Sequence, residues 1–330
     1  MKRWFALAVV AAFAAACSDR PAPTQPGGPS FLDVAQGQSH VHVMHPKAQA
    51  FGLGAAKPGG GGGGKGGGGT GISYHGGPIF YQTKVVAVYW ANSTIYNGGP
   101  TPGTTGAGSA DGSLIGYFLT HLGGSPYFNI NTTYFDGTGT HVQNVVNYTG
   151  FWAANTNVPA SGANASDAQI QAELISGFTS GALTFDQNTL YEVFSGPGVN
   201  LGGGFGTQYC AYHGHFSWNG NDVKYSAMPH DYDFPTACAA LSGSPNNDFA
   251  ADAEVNTLAH ETEETTTDED LNAWFDRRGQ ENADKCAWTF GTTYTTGNGS
   301  VANMNLGGKD FLVQRNWVNA GSGGCANQYP

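Results

Sequence analysis

The tract GLGAAKPGGGGGGKGGGGTG, Gly52 to Gly71, restricts most strongly what this chain can fold into. With almost no side chains it buries too little apolar surface to offset the entropy of ordering its backbone, and it predicts a flexible tether. PAPTQPGGP upstream has the same character, so residues 17–72 form an expected disordered linker and the folded part is residues 73–330. The short run SHVHVMH, with His40, His42 and His45, falls on the linker side of that boundary. There it is expected to be unstructured and at most a weak metal binder.

Ahead of the linker, Lys2 and Arg3 precede an apolar run, Phe5 to Ala16, that is too short to span a bilayer. This is the pattern of a cleaved export signal, residues 1–16. Ala14-Ala15-Ala16-Cys17 resembles a bacterial lipoprotein box, which implies lipidation at Cys17 and an outer-membrane or cell-surface location. Ordinary cleavage would instead release a secreted protein. Membrane contact is expected only through that anchor. With 11% charged residues and a formal net charge of -11, the chain is a poor partner for nucleic acid. No heptad points to an oligomer, so a monomer is expected.

Beyond Cys17 the cysteines are Cys210, Cys238, Cys286 and Cys325, an even set in an exported chain that fits two disulfides. Three pairings are possible, and proximity in sequence favours Cys210 with Cys238 and Cys286 with Cys325. Each would contribute about 3 to 4 kcal/mol. No C-x-x-C spacing supports a cysteine zinc site.

Within the folded part, Thr83 to Ala91 reads as a central strand and SLIGYFLTHL as an amphipathic helix. Ser166 and Gln169 form a capping box ahead of a second helix. TLYEVFS is a strand, and CAYHGHFSW and VKYSAMPHDY are two more joined by Asn219-Gly220-Asn221-Asp222. Asp252 is placed to cap a third helix, and KDFLVQRNWVNAGSGGC reads as a closing strand with a disulfide-tied tail. The expected fold is therefore a single α+β domain, a mixed sheet packed with helices, with a zincin-like strand and helix core.

That third helix carries LAHETEETTTDEDLNAWFD, Leu258 to Asp276, in which carboxylates crowd a helix C-terminus that already holds partial negative charge. A bound cation would relieve this. His260 and Glu264 lie one turn apart on the same face and can meet one ion, with Glu261 beside them. His260-Glu261-x-x-Glu264 is one residue away from the zincin motif, in which the first glutamate acts as general base. The expectation is a Zn2+ or similar divalent site with His260 and Glu264 as ligands and Glu261 as the catalytic base. Asp284 or Glu281 would supply a third ligand, with Asp268 as an alternative. The other reading is a solvated acidic face with an ordinary histidine. His213, His215 and His230 read more readily as hydrogen-bonded loop residues than as ligands. Tyr89, Trp90, Trp152, Trp218, Trp274 and Trp317 suit either a glycan surface or a core.

Five segments, YHGGPIFYQTKVVAVYWAN, SLIGYFLTHLGGSPYFNINTTYF, NTLYEVFSGPGV, CAYHGHF and GGKDFLVQRNWVNAGSGGC, together resemble in order the Exordium or phosphate-induced protein 1 family, in its bacterial branch. The resemblance implies an extracellular, disulfide-bearing protein without an established catalytic activity. Two functions are thus expected: an exported metal-dependent hydrolase acting on peptides, or a non-catalytic envelope protein that binds glycan or a protein partner, with a structural metal or none.

Overall fold

The computed structural model describes residues 31–33, 40–53 and 71–330. The expected export signal, Cys17 and residues 54–70 of the glycine tract lie outside these residues. The described chain forms a single α+β domain. Its main sheet has eight strands: β1 (Phe31–Asp33), β2 (His40–Met44), β3 (Thr83–Trp90), β4 (Thr105–Ala107), β5 (Val146–Trp152), β6 (Thr189–Ser195), β7 (Ala211–Trp218) and β8 (Asn221–Met228). They lie in the order β1-β2-β7-β8-β6-β3-β5-β4. The β8-β6-β3-β5 centre is parallel and the outer pairs are antiparallel.

β7 and β8 form a hairpin across Asn219 and Gly220, whose φ values of 52° and 78° are the left-handed pair that a tight two-residue turn requires. The longer helices among the described residues are α1 (Leu114–Leu122), α2 (Asp167–Ser180) and α3 (Phe249–Thr267). Strand alternation divides the core between the two faces of the sheet. Val88 and Trp90 of β3 join Ile170, Leu174 and Phe178 of α2 on one face. Val85, Ala87 and Tyr89 join Leu114, Ile115 and Phe118 of α1 and Val255 and Leu258 of α3 on the other. Trp90 and Trp152 are buried in the first of these layers and Trp274 in a separate cluster with Ile79, Tyr134 and Val142, so they are core and not a glycan surface.

Three local expectations change. α3 is capped by Asp248, whose side chain accepts from the Ala251 N–H, and Asp252 sits in its first turn. There Asp252 takes hydrogen bonds from the Ser244 hydroxyl and the Asn246 N–H, partners that only the folded chain brings near. The segment after Lys309 does not close the structure as one strand. It breaks into Lys309–Phe311, Asn316–Val318 and Gly324–Ala326, because the Gln314 N–H turns inward to the Asn256 side chain of α3 at 2.7 Å. Finally, the His-bearing run is not structureless: His40–Met44 is β2, hydrogen-bonded to β7. A short helix, Lys47–Leu53, follows it.

Both disulfides form with the pairing that proximity favours, Cys210 with Cys238 and Cys286 with Cys325. The first anchors the start of β7. The second fixes the loop that crosses the end of α3.

Candidate metal centre

α3 is buried along nearly its whole length although it carries five carboxylates and five threonines between Asp252 and Thr267. The threonines are satisfied locally: the Thr262, Thr265 and Thr266 hydroxyls each donate to the carbonyl four residues back at 2.7 Å. The carboxylates need partners from elsewhere, since a buried polar group without one is costly.

Glu263 finds its partners in Asn131 and Asn316, each donating at 2.5 Å, and burial pushes its pKa up to about 8. Glu261 and Glu264 face the sheet instead. Beneath them a row of side chains crosses the strands, set by register: His42 of β2 is paired with His213 of β7, His213 with Ser226 of β8, and Ser226 with Glu192 of β6. Val41 and Val43 belong to the core on the α2 face, so alternation sends His42 to the α3 face.

Seven side chains from four parts of the chain meet there: His42, His213, His260, Glu261, Glu264, Glu281 and Asp284. His260 Nε2 lies 3.1 Å from Glu264 Oε1 and 3.6 Å from Asp284 Oδ1. His213 Nδ1 lies 3.0 Å from Glu261 Oε2 and 3.8 Å from Glu264 Oε2. His42 Nε2 lies 2.8 Å from Asp284 Oδ2 and 3.7 Å from Glu264 Oε2, and its Nδ1 is 3.2 Å from Glu281 Oε1. All seven residues are buried. His213 Nε2, Glu261 Oε1, Glu264 Oε2 and Glu281 Oε2 have no hydrogen-bond partner.

The four ligands expected from sequence, His260, Glu264, Asp284 and Glu281, thus come together, with both of the alternatives for the third position present. Asp268 does not join them. It follows the last turn of α3, where its Oδ1 accepts from the Asn272 and Ala273 N–H groups. Glu261 faces His213 in a closed interior. His42 and His213 are the two members not expected as ligands: the sequence places His42 in an unstructured tail as at most a weak metal binder and reads His213 more readily as a loop histidine. Their signal was the alternation in HVHV and in AYHGH, which puts a histidine on one sheet face between apolar residues on the other.

The electrostatics are those of a charge cluster out of water. Burial, reinforced by Glu264 and Asp284, pushes the Glu261 carboxyl well above its ordinary range, and burial with Asp268 does the same to Glu281. Burial alone would lower His42, but Asp284 and Glu264 outweigh it and raise it to about 9. His213 is pushed well down by burial and by its histidine neighbours. Asp284 is drawn below its usual range because His42 and His260 outweigh its burial.

Around the centre, Gln314 orients His260: its Nε2 donates to His260 Nδ1 at 2.9 Å and to the Ala283 carbonyl at 3.0 Å, while its Oε1 accepts from the Trp288 N–H. A separate acidic group, His215, Asp222 and Asp270, lies nearer the surface, but Lys224 already pairs with both aspartates there. A solvent-open cavity of about 490 Å³, lined in part by Asp111, Ser113, His121, Asp248 and Lys309, lies apart from the buried cluster.

Fold and site together define an α+β domain organised round a closed histidine and carboxylate centre. A family model described as microbial transglutaminase matches residues 204–325, from just before β7 to the second disulfide. No curated protein and no solved structure matches the chain. The matched span includes CAYHGHF and GGKDFLVQRNWVNAGSGGC, two of the segments that suggested the Exordium family, and that resemblance is corrected accordingly. The zinc-hydrolase reading of the HExxE helix is overturned with it. The physical reason is closure: a catalytic zinc keeps a position open to water and substrate, and these donors face one another in the interior.

Proposed function

We propose that this is an exported protein whose single domain is held together by a buried divalent-metal centre with a structural role. The observation that carries this is the convergence of three histidines and four carboxylates, all buried, with unpartnered oxygens on Glu261, Glu264 and Glu281. Leaving such groups without a counter-ion costs several kcal/mol, and a cation reverses the sign of the contribution. The oxygen-rich donor set suits manganese, iron, zinc or calcium. Export accords with the two disulfides and with the family match.

The test is elemental analysis of the purified protein with thermal unfolding before and after chelation. Near-stoichiometric metal whose removal lowers the melting temperature by ten degrees or so supports the reading. A folded, metal-free protein that takes up none of these ions and unfolds unchanged in chelator would overturn it.

The match over residues 204–325 favours a second reading, an exported enzyme acting on proteins, with acyl transfer at side-chain amides as its chemistry. A covalent acyl route needs an activated nucleophile, and the four cysteines among the described residues are all in disulfides. Incorporation of a fluorescent amine into a glutamine-bearing protein decides this reading: none above a boiled control would remove it.

A further inference from the structure

We infer that the centre takes two divalent cations, bridged by the single carboxylate of Glu264. The inference rests on the metal reading above and goes beyond it in number and arrangement.

The two oxygens of Glu264 face different ligand sets. Oε1 looks toward His260 Nε2, at 3.1 Å, and that nitrogen lies 3.6 Å from Asp284 Oδ1. Oε2 looks toward His213 Nδ1, at 3.8 Å, and that nitrogen lies 3.0 Å from Glu261 Oε2. Donors bound to one ion at about 2.0 to 2.2 Å can be no more than about 4.4 Å apart, and each of these separations is within that limit. Two ions sharing one carboxylate sit about 3.5 to 4 Å apart, a spacing that a single Glu264 spans.

His42, Glu264 and Glu281 also form a close trio, but His42 approaches the same Glu264 Oε2 that serves the His213 side, so we assign this trio to the same ion as His213. His42 and Glu281 complete the coordination between the two ions: His42 Nε2 is 2.8 Å from Asp284 Oδ2, and Glu281 lies 3.2 Å from His42 and 3.7 Å from His213. Charge is consistent with that number: with the three histidines neutral as ligands, the carboxylates Glu261, Glu264, Glu281 and Asp284 carry four negative charges when ionised, which two divalent ions balance and one leaves half uncompensated. The unpartnered Glu261 Oε1 and Glu281 Oε2 are the atoms that a single ion on the His260 side would leave stranded.

The experiment uses purified protein stripped with chelator and refilled with Mn2+, read by bound manganese per chain and by low-temperature electron paramagnetic resonance. Two ions per chain with a spin-coupled spectrum are expected in the wild type. Glu261→Gln, which keeps the shape of the side chain, should bind one ion and lose the coupling. Two uncoupled ions would overturn the bridge, and one ion in the wild type would overturn the pair while leaving the structural-metal reading intact. No bound ion would overturn both.

Discussion

His42 Nε2 lies 2.8 Å from Asp284 Oδ2, a buried contact between residues 242 positions apart in the chain. It joins a strand that precedes the glycine tract to the loop that follows α3, and it makes the N-terminal segment part of the interior. β2 lies one strand in from the end of the sheet, between β7 and the three-residue β1, so its docking should depend on what His42 touches as well as on backbone hydrogen bonds.

Chelation should therefore free this segment first. Limited proteolysis of the metal-loaded protein is expected to spare residues 40–53, and chelator should expose them to cleavage well before the rest of the domain unfolds. His42→Ala should show the exposed pattern with metal present. Equal resistance in all three samples would argue that β2 docks independently of the centre.

Gln314 offers a sharper test of His260. As oriented, its amide protons point at His260 Nδ1 and the Ala283 carbonyl, which leaves the ring proton on Nε2, toward Glu264. An ion on Nε2 takes the place of that proton, and Nδ1 must then donate outward, so Gln314 has to turn its oxygen to the ring. Metal-binding histidines commonly donate their second N–H to a carboxylate or carbonyl, with effects of about 10-fold to 100-fold on affinity. Gln314→Glu should tighten metal binding about tenfold and Gln314→Leu should weaken it by a similar factor. Competition titration against a fluorescent chelator reads both, and an unchanged affinity in each variant would remove His260 Nε2 from the ligand set.

Glu192 sits one strand over, accepting from the Thr262 hydroxyl at 2.7 Å, with Glu254 and Glu261 as its acidic neighbours on α3. Burial raises its pKa from the ordinary glutamate value of 4.5 to about 8. Between those two values the folded state holds a proton that the unfolded state has lost, so this group's contribution to stability falls as pH rises through the window and is fully adverse above about 8. Glu192→Gln keeps the Thr262 bond and removes the titration. It should match the wild type near pH 4 and exceed it by about 2 kcal/mol or more at pH 9, measured by urea denaturation. Parallel pH profiles for the two proteins would contradict the assignment.

The disulfide Cys286–Cys325 should matter twice. Cys286 is two residues from Asp284, and its bond closes a sequence separation of 39 residues. Replacing both cysteines by serine is expected to cost about 3 kcal/mol of stability and also to weaken metal affinity. The equivalent change at Cys210 and Cys238 should cost similar stability. It tests the His213 side through β7. Loss of stability with unaltered metal binding in both would separate the disulfides from the centre.

Much of this was legible in the sequence, for identifiable reasons. The strands TLYEVFS and AYHGHFSW, the capping box at Ser166 and the Asn219-Gly220 turn are local signals, and each appears where its chemistry puts it. His260 and Glu264 were readable because helical spacing alone brings them together. Asp284 and Glu281 were readable because a disulfide-tied loop follows the helix. His42 was not, because the linker on both sides of it masked five residues of alternation. The cap at Asp248 was also missed, since Asp252 is an equally good capping residue until Ser244 and Asn246 occupy it.

The reach of His42 across the chain also sets an order of assembly. One ligand of the proposed centre, His42, is made 242 residues ahead of another, Asp284. A chain threaded across a membrane before folding crosses it with the ligands still scattered. On the metal reading proposed above, an ion would then be chosen by the compartment in which the chain arrives, not by the one in which it is made.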